Sequence, residues 1–211
     1  MFQNKMLIVD HVKKYATIYL FMLVLFLTGV IFGAVIVNSM GFVQKQDLLF
    51  YLEQFFEKIA GSKGIENDVV LKGSFFYHTK YLLLLFILGL SVIGLPIVWI
   101  LLFLKGLVVG FSVGFIVNQF GFEGLFLASL SIAPQNLVII PIYLIAGSLS
   151  MIFSLTLLNK LFSRRMSRPI LQPLSRYVIV FIVLLVGALL AALMEAYVSS
   201  AAMEALIRKL Y

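Results

Sequence analysis

The pattern of apolar positions divides the chain into long greasy blocks separated by short polar ones. Tyr15 to Val37 is an uncharged run of 23 residues, enough at about 1.5 Å per residue to cross a hydrocarbon core of about 30 Å. It exceeds the roughly 7–15 apolar residues of a signal-peptide core, so it reads as a retained first helix. Tyr81 to Phe122 holds a single charge, Lys105, in 42 residues. This block predicts two spans, Tyr81–Leu104 and Gly106–Val117, with a tight turn at Lys105 and with Gly89, Gly94 and Pro96 kinking the first of them. After a polar turn at Asn118–Gly124, the stretch Leu125–Asn159 predicts a fourth helix. Pro134 and Pro141 flank Gln135 and Asn136 within it, so it is expected to be broken or strongly kinked near one end, and such breaks survive at membrane depth only inside protein or along a cavity. Tyr177–Ser200 is the fifth span, and the tail beyond it reads as a helical extension.

One segment is polar enough to stand outside the bilayer, Asn38 to Thr79. Within it Gln46 to Ile59 predicts an amphipathic helix, with Asp47 as N-cap and Gly61 as stop. At about 100° per residue Leu48, Leu49, Leu52, Phe55, Phe56 and Ile59 share one arc, and Gln46, Asp47, Glu53, Gln54, Glu57 and Lys58 the opposite one. Phe50 falls among the polar residues. An aromatic on a wet face suits a partner contact, although isolated exposed aromatics are common.

Small residues recur at four-residue spacing. Gly29 and Gly33 form a G-x-x-x-G face, Gly106, Gly110 and Gly114 a longer ladder, and Ala188, Ala192 and Ala196 a third. Faces of this kind let helix backbones approach closely, which predicts helix packing and also self-association into a homo-oligomer.

Composition confirms the class of protein: 63% of the 211 residues are hydrophobic, 12% are charged and the mean hydropathy is +1.12. A soluble domain carries about 25% charged residues, so the apolar excess faces lipid. The net charge of +7 is explained by its distribution. With the N-terminus in the cytoplasm, the inner segments hold Lys5, Lys13, Lys14, Lys105, Lys160, Arg164, Arg165, Arg168 and Arg176 against Asp10, while seven basic and eight acidic residues lie outside. That asymmetry obeys the positive-inside rule and calls for lipid headgroups rather than nucleic acid. The chain thus reads as an all-α integral membrane protein of five transmembrane helices, C-terminus extracytoplasmic, with an amphipathic helix in its first outer loop. Residues 1–211 form one polytopic domain, 38–79 an extracytoplasmic helical hairpin insert and 160–176 a basic cytoplasmic loop.

Candidate chemistry is sparse. The chain has no cysteine, which excludes disulfides and thiolate sites. His11 and His78 are expected on opposite sides of the membrane and share neither a metal nor a relay. Glu53 and Glu57 lie side by side on one helix face, whereas glycosidase carboxylates flank a bond from opposite sides of a cleft. Lys105, Glu123 and Glu195 are expected near helix ends, leaving no carboxylate at mid-membrane, where ion-coupled carriers need one. No catalytic, cofactor or metal-binding residue is therefore assigned. Two readings stay open: a binding scaffold that presents the outer helix, and a transporter whose path is lined by the broken fourth helix with Gln135 and Asn136.

The run LFLTGVIFGAVIVNSM followed by QKQDLLFYLEQFF, with the five-helix hydropathy and the basic loop before the last helix, resembles the stage II sporulation protein M family of endospore-forming bacteria. In the wider family the fourth helix carries a proline, His-Gly, a glutamate and a second proline. Here Pro134 and Pro141 stand at the ends, but Gln135 and Asn136 replace His-Gly and Ile139 the glutamate, so no ionisable role is carried over. The resemblance implies a non-enzymatic membrane protein at the sporulation septum. It would recruit the peptidoglycan-degrading stage II sporulation proteins D and P for septal thinning and forespore engulfment. On the outer helix itself, Phe50 with Glu53, Gln54 and Glu57 is the expected contact face, the alternative being that the apolar face docks and Phe50 is incidental.

Overall fold

A computed structural model of the chain describes residues 10–61, 66–162 and 171–210. The described residues are helical almost throughout. In chain order they form α1 Ala16–Ser39, α2 Phe42–Gly61, α3 Asn67–Gly89, α4 Gly94–Ser131, α5 Ala133–Phe162 and α6 Leu171–Leu193; a π-helical turn, Met194–Ser199, then leads into α7 Ser200–Leu210. Four stretches are long and apolar enough to cross a membrane: Ala16–Ser39, Gly94–Ser131, Ala133–Phe162 and Leu171–Ile207. Helix α3 is of comparable length but carries Lys72, His78 and Lys80 along its first two-thirds, and it packs against α4, α5 and α6 within the same bundle.

The strongest helix pair is α1 with α4, and glycine makes it possible. A methyl group at Gly29 or Gly33 would collide with the carbonyl oxygens of Phe103 and Leu107, and one at Gly106 or Gly110 with those of Phe26 and Val30. Gly114 continues the seam against Ala34, where an added methyl would sit 3.3 Å from its Cα. The two glycine ladders thus interlock within one chain, the close backbone approach that small-xxx-small faces permit. Ala188, Ala192 and Ala196 are likewise fully buried.

The turn expected at Lys105 is elsewhere. Asn67–Gly89 is one continuous helix, so the expected end of the insert at Thr79 falls inside it, and the chain reverses at Leu90–Ile93. This turn is almost wholly apolar, and part of its backbone is satisfied from within the protein. The N–H groups of Leu90 and Ser91 donate to Ile87 and Leu88, and the Ser154 hydroxyl of α5 reaches the carbonyls of Gly89 at 2.9 Å and Ser91 at 2.7 Å. Helix α4 then runs past Lys105 without interruption and bends at Gly121, whose φ of 57° suits glycine and lets the chain fold back so that Gly124 rests on Ile116.

The expected break in the fourth helix also moves. Pro134 stands in the first turn of α5, where its missing N–H costs no hydrogen bond, and Pro141 lies inside a helix that continues past it. The interruption is at Ile132, between α4 and α5.

At one end of the bundle α2, the distal part of α4 and α7 form a small cap. Phe56, Leu127 and Ile207 are buried together, with Leu52, Phe120 and Met203 around them. Helix α2 begins at Phe42, so Asp47 lies inside it rather than capping it. The side chains of Lys58 and Ile59, and Arg164, Arg165 and Arg168 of the basic loop, lie outside the described residues.

Candidate functional site: an intramembrane polar cavity

The polar residues that the sequence scatters over four segments meet between α3, α4, α5 and the π-turn. His78 faces inward from the middle of α3 and is only 4% exposed. Its Nδ1 lies 2.7 Å from the hydroxyl of Tyr143 on α5, and its Nε2 lies 3.6 Å from a carboxylate oxygen of Glu195. Tyr143 is itself buried, packed at 4.4 Å between ring centroids against Tyr81, whose hydroxyl donates to the Leu101 carbonyl at 2.8 Å.

Lys105 completes the group. It sits eleven residues into α4, about 16 Å from the start of that helix and hence near mid-span. Its ammonium lies 4.8 Å from the ring centroid of Tyr77 and 5.2 Å from that of Tyr143, with the Tyr77 hydroxyl at 3.4 Å. Tyrosine faces attract a cation electrostatically but do not neutralise it. Among the described residues no carboxylate comes within ion-pair distance of this ammonium.

Glu195 reaches the cluster because of the π-turn. A π-helix bonds each N–H five residues back instead of four and re-aims the side chains it carries, which is why such turns gather at functional positions. Here both the N–H and the hydroxyl of Ser200 bond the carbonyl of Glu195. The first turn of α5 closes the remaining side. Asn136 Nδ2 donates to the Ile132 carbonyl at 2.8 Å, holding the α4–α5 junction, while the buried Oε1 of Gln135 has no hydrogen-bond partner among the described residues.

Tyr77, His78, Lys105, Gln135, Asn136 and Glu195 line a cavity of about 360 Å³, with Ser74 and Ser112 adding hydroxyls to its wall. On the side toward the α3–α4 turn, Leu82, Leu85, Val98, Leu102 and Ala146 are fully buried. Beyond them Tyr177 stacks between Phe86 and Phe153, its hydroxyl donating to the Phe86 carbonyl at 3.0 Å.

Lys105 and Glu195, expected near helix ends, therefore line one cavity, and His78 lies in the bundle rather than in an outer loop. A signal was present: Tyr77, His78 and Tyr81 recur at helical spacing just before an apolar run, and Lys105 interrupts an otherwise uncharged block. His11 is remote from this cluster; it packs on Tyr15, and burial first and the Lys14 ammonium second hold it below the usual histidine range. Among the described residues no group of three His, Asp or Glu side chains forms a metal site.

The expected contact residues lie at the capped end. Phe56 is buried there, while Phe50 is 57% exposed and touches Tyr51 edge-on; Glu53, Gln54 and Glu57 are exposed beside it.

A multi-pass bundle of long apolar helices around a buried polar cluster defines a helical membrane protein. The profile of the stage II sporulation protein M family matches residues 22–200, and the chain belongs to that family. No curated protein and no solved structure matches it.

Proposed function

We propose that this sporulation membrane protein is a non-enzymatic scaffold. It crosses the membrane five times, with its N-terminus in the cytoplasm and the α2–α7 cap outside, and it recruits peptidoglycan-degrading enzymes, the stage II sporulation proteins D and P, to the septum during wall thinning and engulfment. The observation that carries this reading is the mounting of α2. Phe56 fastens the helix to the bundle, which leaves Phe50, Tyr51, Glu53 and Glu57 clear of it. An exposed aromatic among carboxylates suits a protein partner, since aromatic anchors dominate such contacts. Counting Lys105 within the bundle leaves eight basic residues against Asp10 on the inner side, so the orientation still follows the positive-inside rule.

Capture of the two hydrolases from detergent-solubilised sporangial membranes tests the reading, comparing the native chain with Phe50→Ala and Glu53→Lys/Glu57→Lys. Loss of both enzymes from variants that still insert and fold supports docking on α2; undiminished capture by both moves the contact off this helix. A homodimer belongs to the proposal, but its interface must lie outside the α1–α4 seam, because those glycine faces are already filled within one chain.

A transport reading draws on the cavity that Gln135 and Asn136 line. The apolar floor beneath it requires a second conformation open on the other side. Substrate-independent impermeability of proteoliposomes bearing the chain would exclude it.

A further inference from the structure

Lys105 and Glu195 carry opposite charges, line one cavity and are not paired with each other. Each is also poorly satisfied by the protein. The carboxylate of Glu195 has His78 Nε2 at 3.6 Å, too far for a hydrogen bond. The ammonium of Lys105 rests on tyrosine rings and one hydroxyl. Two further polar atoms at the same place have no hydrogen-bond partner among the described residues, the buried His78 Nε2 and Gln135 Oε1. A lysine without a carboxylate partner among the described residues, facing a glutamate held only by a histidine at 3.6 Å, is a costly arrangement within a membrane bundle and marks a binding site.

We propose that the cavity binds a small bipolar ligand, an ammonium joined by a short linker to a phosphate or carboxylate, with Lys105 receiving the anionic end and Glu195 the ammonium. The charge arrangement selects for two poles. A simple anion leaves Glu195 unanswered and adds a second negative charge beside it; a simple cation does the same to Lys105. A zwitterion answers both walls at once, and its ammonium N–H groups find a further acceptor in Gln135 Oε1. The volume of about 360 Å³ lies in the range of small-molecule sites. A quaternary ammonium has no N–H to donate to Glu195 and Gln135, so the site discriminates ethanolamine-type from choline-type groups by the hydrogen bonds it leaves unmade. The same chemistry is offered by the headgroup of an aminophospholipid and by a free zwitterion.

The test uses the full chain in phosphatidylcholine nanodiscs, with phosphatidylethanolamine added to one series and soluble phosphoethanolamine to another. Binding is read by native mass spectrometry and calorimetry. Retention of the ethanolamine compound over the choline lipid by about tenfold or more is expected, with losses of about tenfold in Lys105→Met and in Glu195→Gln and retention in Lys105→Arg. Thermal unfolding in ligand-free phosphatidylcholine discs reports whether each variant is folded. Gln135→Leu, at the mouth of α5, supplies an independent loss of about threefold should a charge variant fail to fold. Binding confined to the lipid series assigns the site to a headgroup, and binding of soluble phosphoethanolamine assigns it to a free zwitterion. Absence of binding in both series overturns the proposal. So does preference for phosphatidylglycerol that Lys105→Met abolishes and Glu195→Gln strengthens, which is the behaviour of an anion site.

Discussion

The two halves of the bundle use similar polar side chains to opposite ends. In the half next to the α3–α4 turn the hydroxyls of Ser150, Ser154 and Tyr177 are spent on the backbone, although Trp99 Nε1 is buried there without a hydrogen-bond partner among the described residues. Ser150 donates within reach of the Leu85 and Ala146 carbonyls at 2.8 and 2.9 Å, Ser154 bonds Gly89 and Ser91, and Tyr177 bonds Phe86. In the half next to the cap, His78 Nε2, Gln135 Oε1 and the Ser131 hydroxyl are buried without hydrogen-bond partners among the described residues, and a lysine and a glutamate face the same space. Buried polar groups that are fully bonded stabilise and rigidify, whereas those left short of partners cost stability and are kept where a ligand or a reaction needs them. The first half holds the helices together. The second is available for binding.

The comparison can be broken most severely at the glycine seam that both halves share. Gly110→Leu drives a side chain into the Val30 carbonyl and is expected to destabilise the bundle by about 3 kcal/mol, seen as loss of folded protein in detergent and a lower unfolding midpoint. Ser154→Ala removes both capping bonds from the α3–α4 turn. A cost of about 1–2 kcal/mol is expected, with faster amide exchange confined to residues around Gly89–Ile93. Gln135→Leu sharpens the contrast because its sign reverses. It removes an unsatisfied buried acceptor and should raise stability by up to about 1 kcal/mol in unfolding titrations, while ligand retention falls. Equal destabilisation by Ser154→Ala and Gln135→Leu would erase the distinction between the halves. The smallest effect belongs to Phe50→Ala, whose exposed ring should leave stability within about 0.5 kcal/mol and alter only partner capture.

Much of the site was hidden from sequence reasoning for one identifiable reason. Turn signals such as Gly, Pro, Asn and charged residues reflect a backbone that must bond to water. The turn at Leu90–Ile93 bonds instead to Ser154, sixty-odd residues later in the chain, so it needs no polar residue and carries only Ser91. With the turn misplaced to the one charge available, Lys105 moved out to a loop, the upper part of α3 became an outer insert, and His78 went with it. The cluster of Lys105, His78, Tyr143 and Glu195 could not be assembled from that register. The amphipathic helix around Phe50 was legible because its faces obey a local period, although it begins earlier than its polar pattern suggested.

What the sequence by itself determined is the part set by solvent and period. The apolar excess dictates a membrane bundle, four-residue glycine spacing dictates where backbones touch, and the 3.6-residue alternation in α2 places Phe56 in the cap, although Phe55 of the same arc is 46% exposed. The tertiary structure alone decided which glycine ladder meets which, where α3 gives way to α4, and that a π-turn carries Glu195 toward His78 and Lys105. Those outcomes depend on groups far apart in sequence satisfying one another's hydrogen bonds and charges inside a medium that offers no water, and no local pattern encodes that pairing.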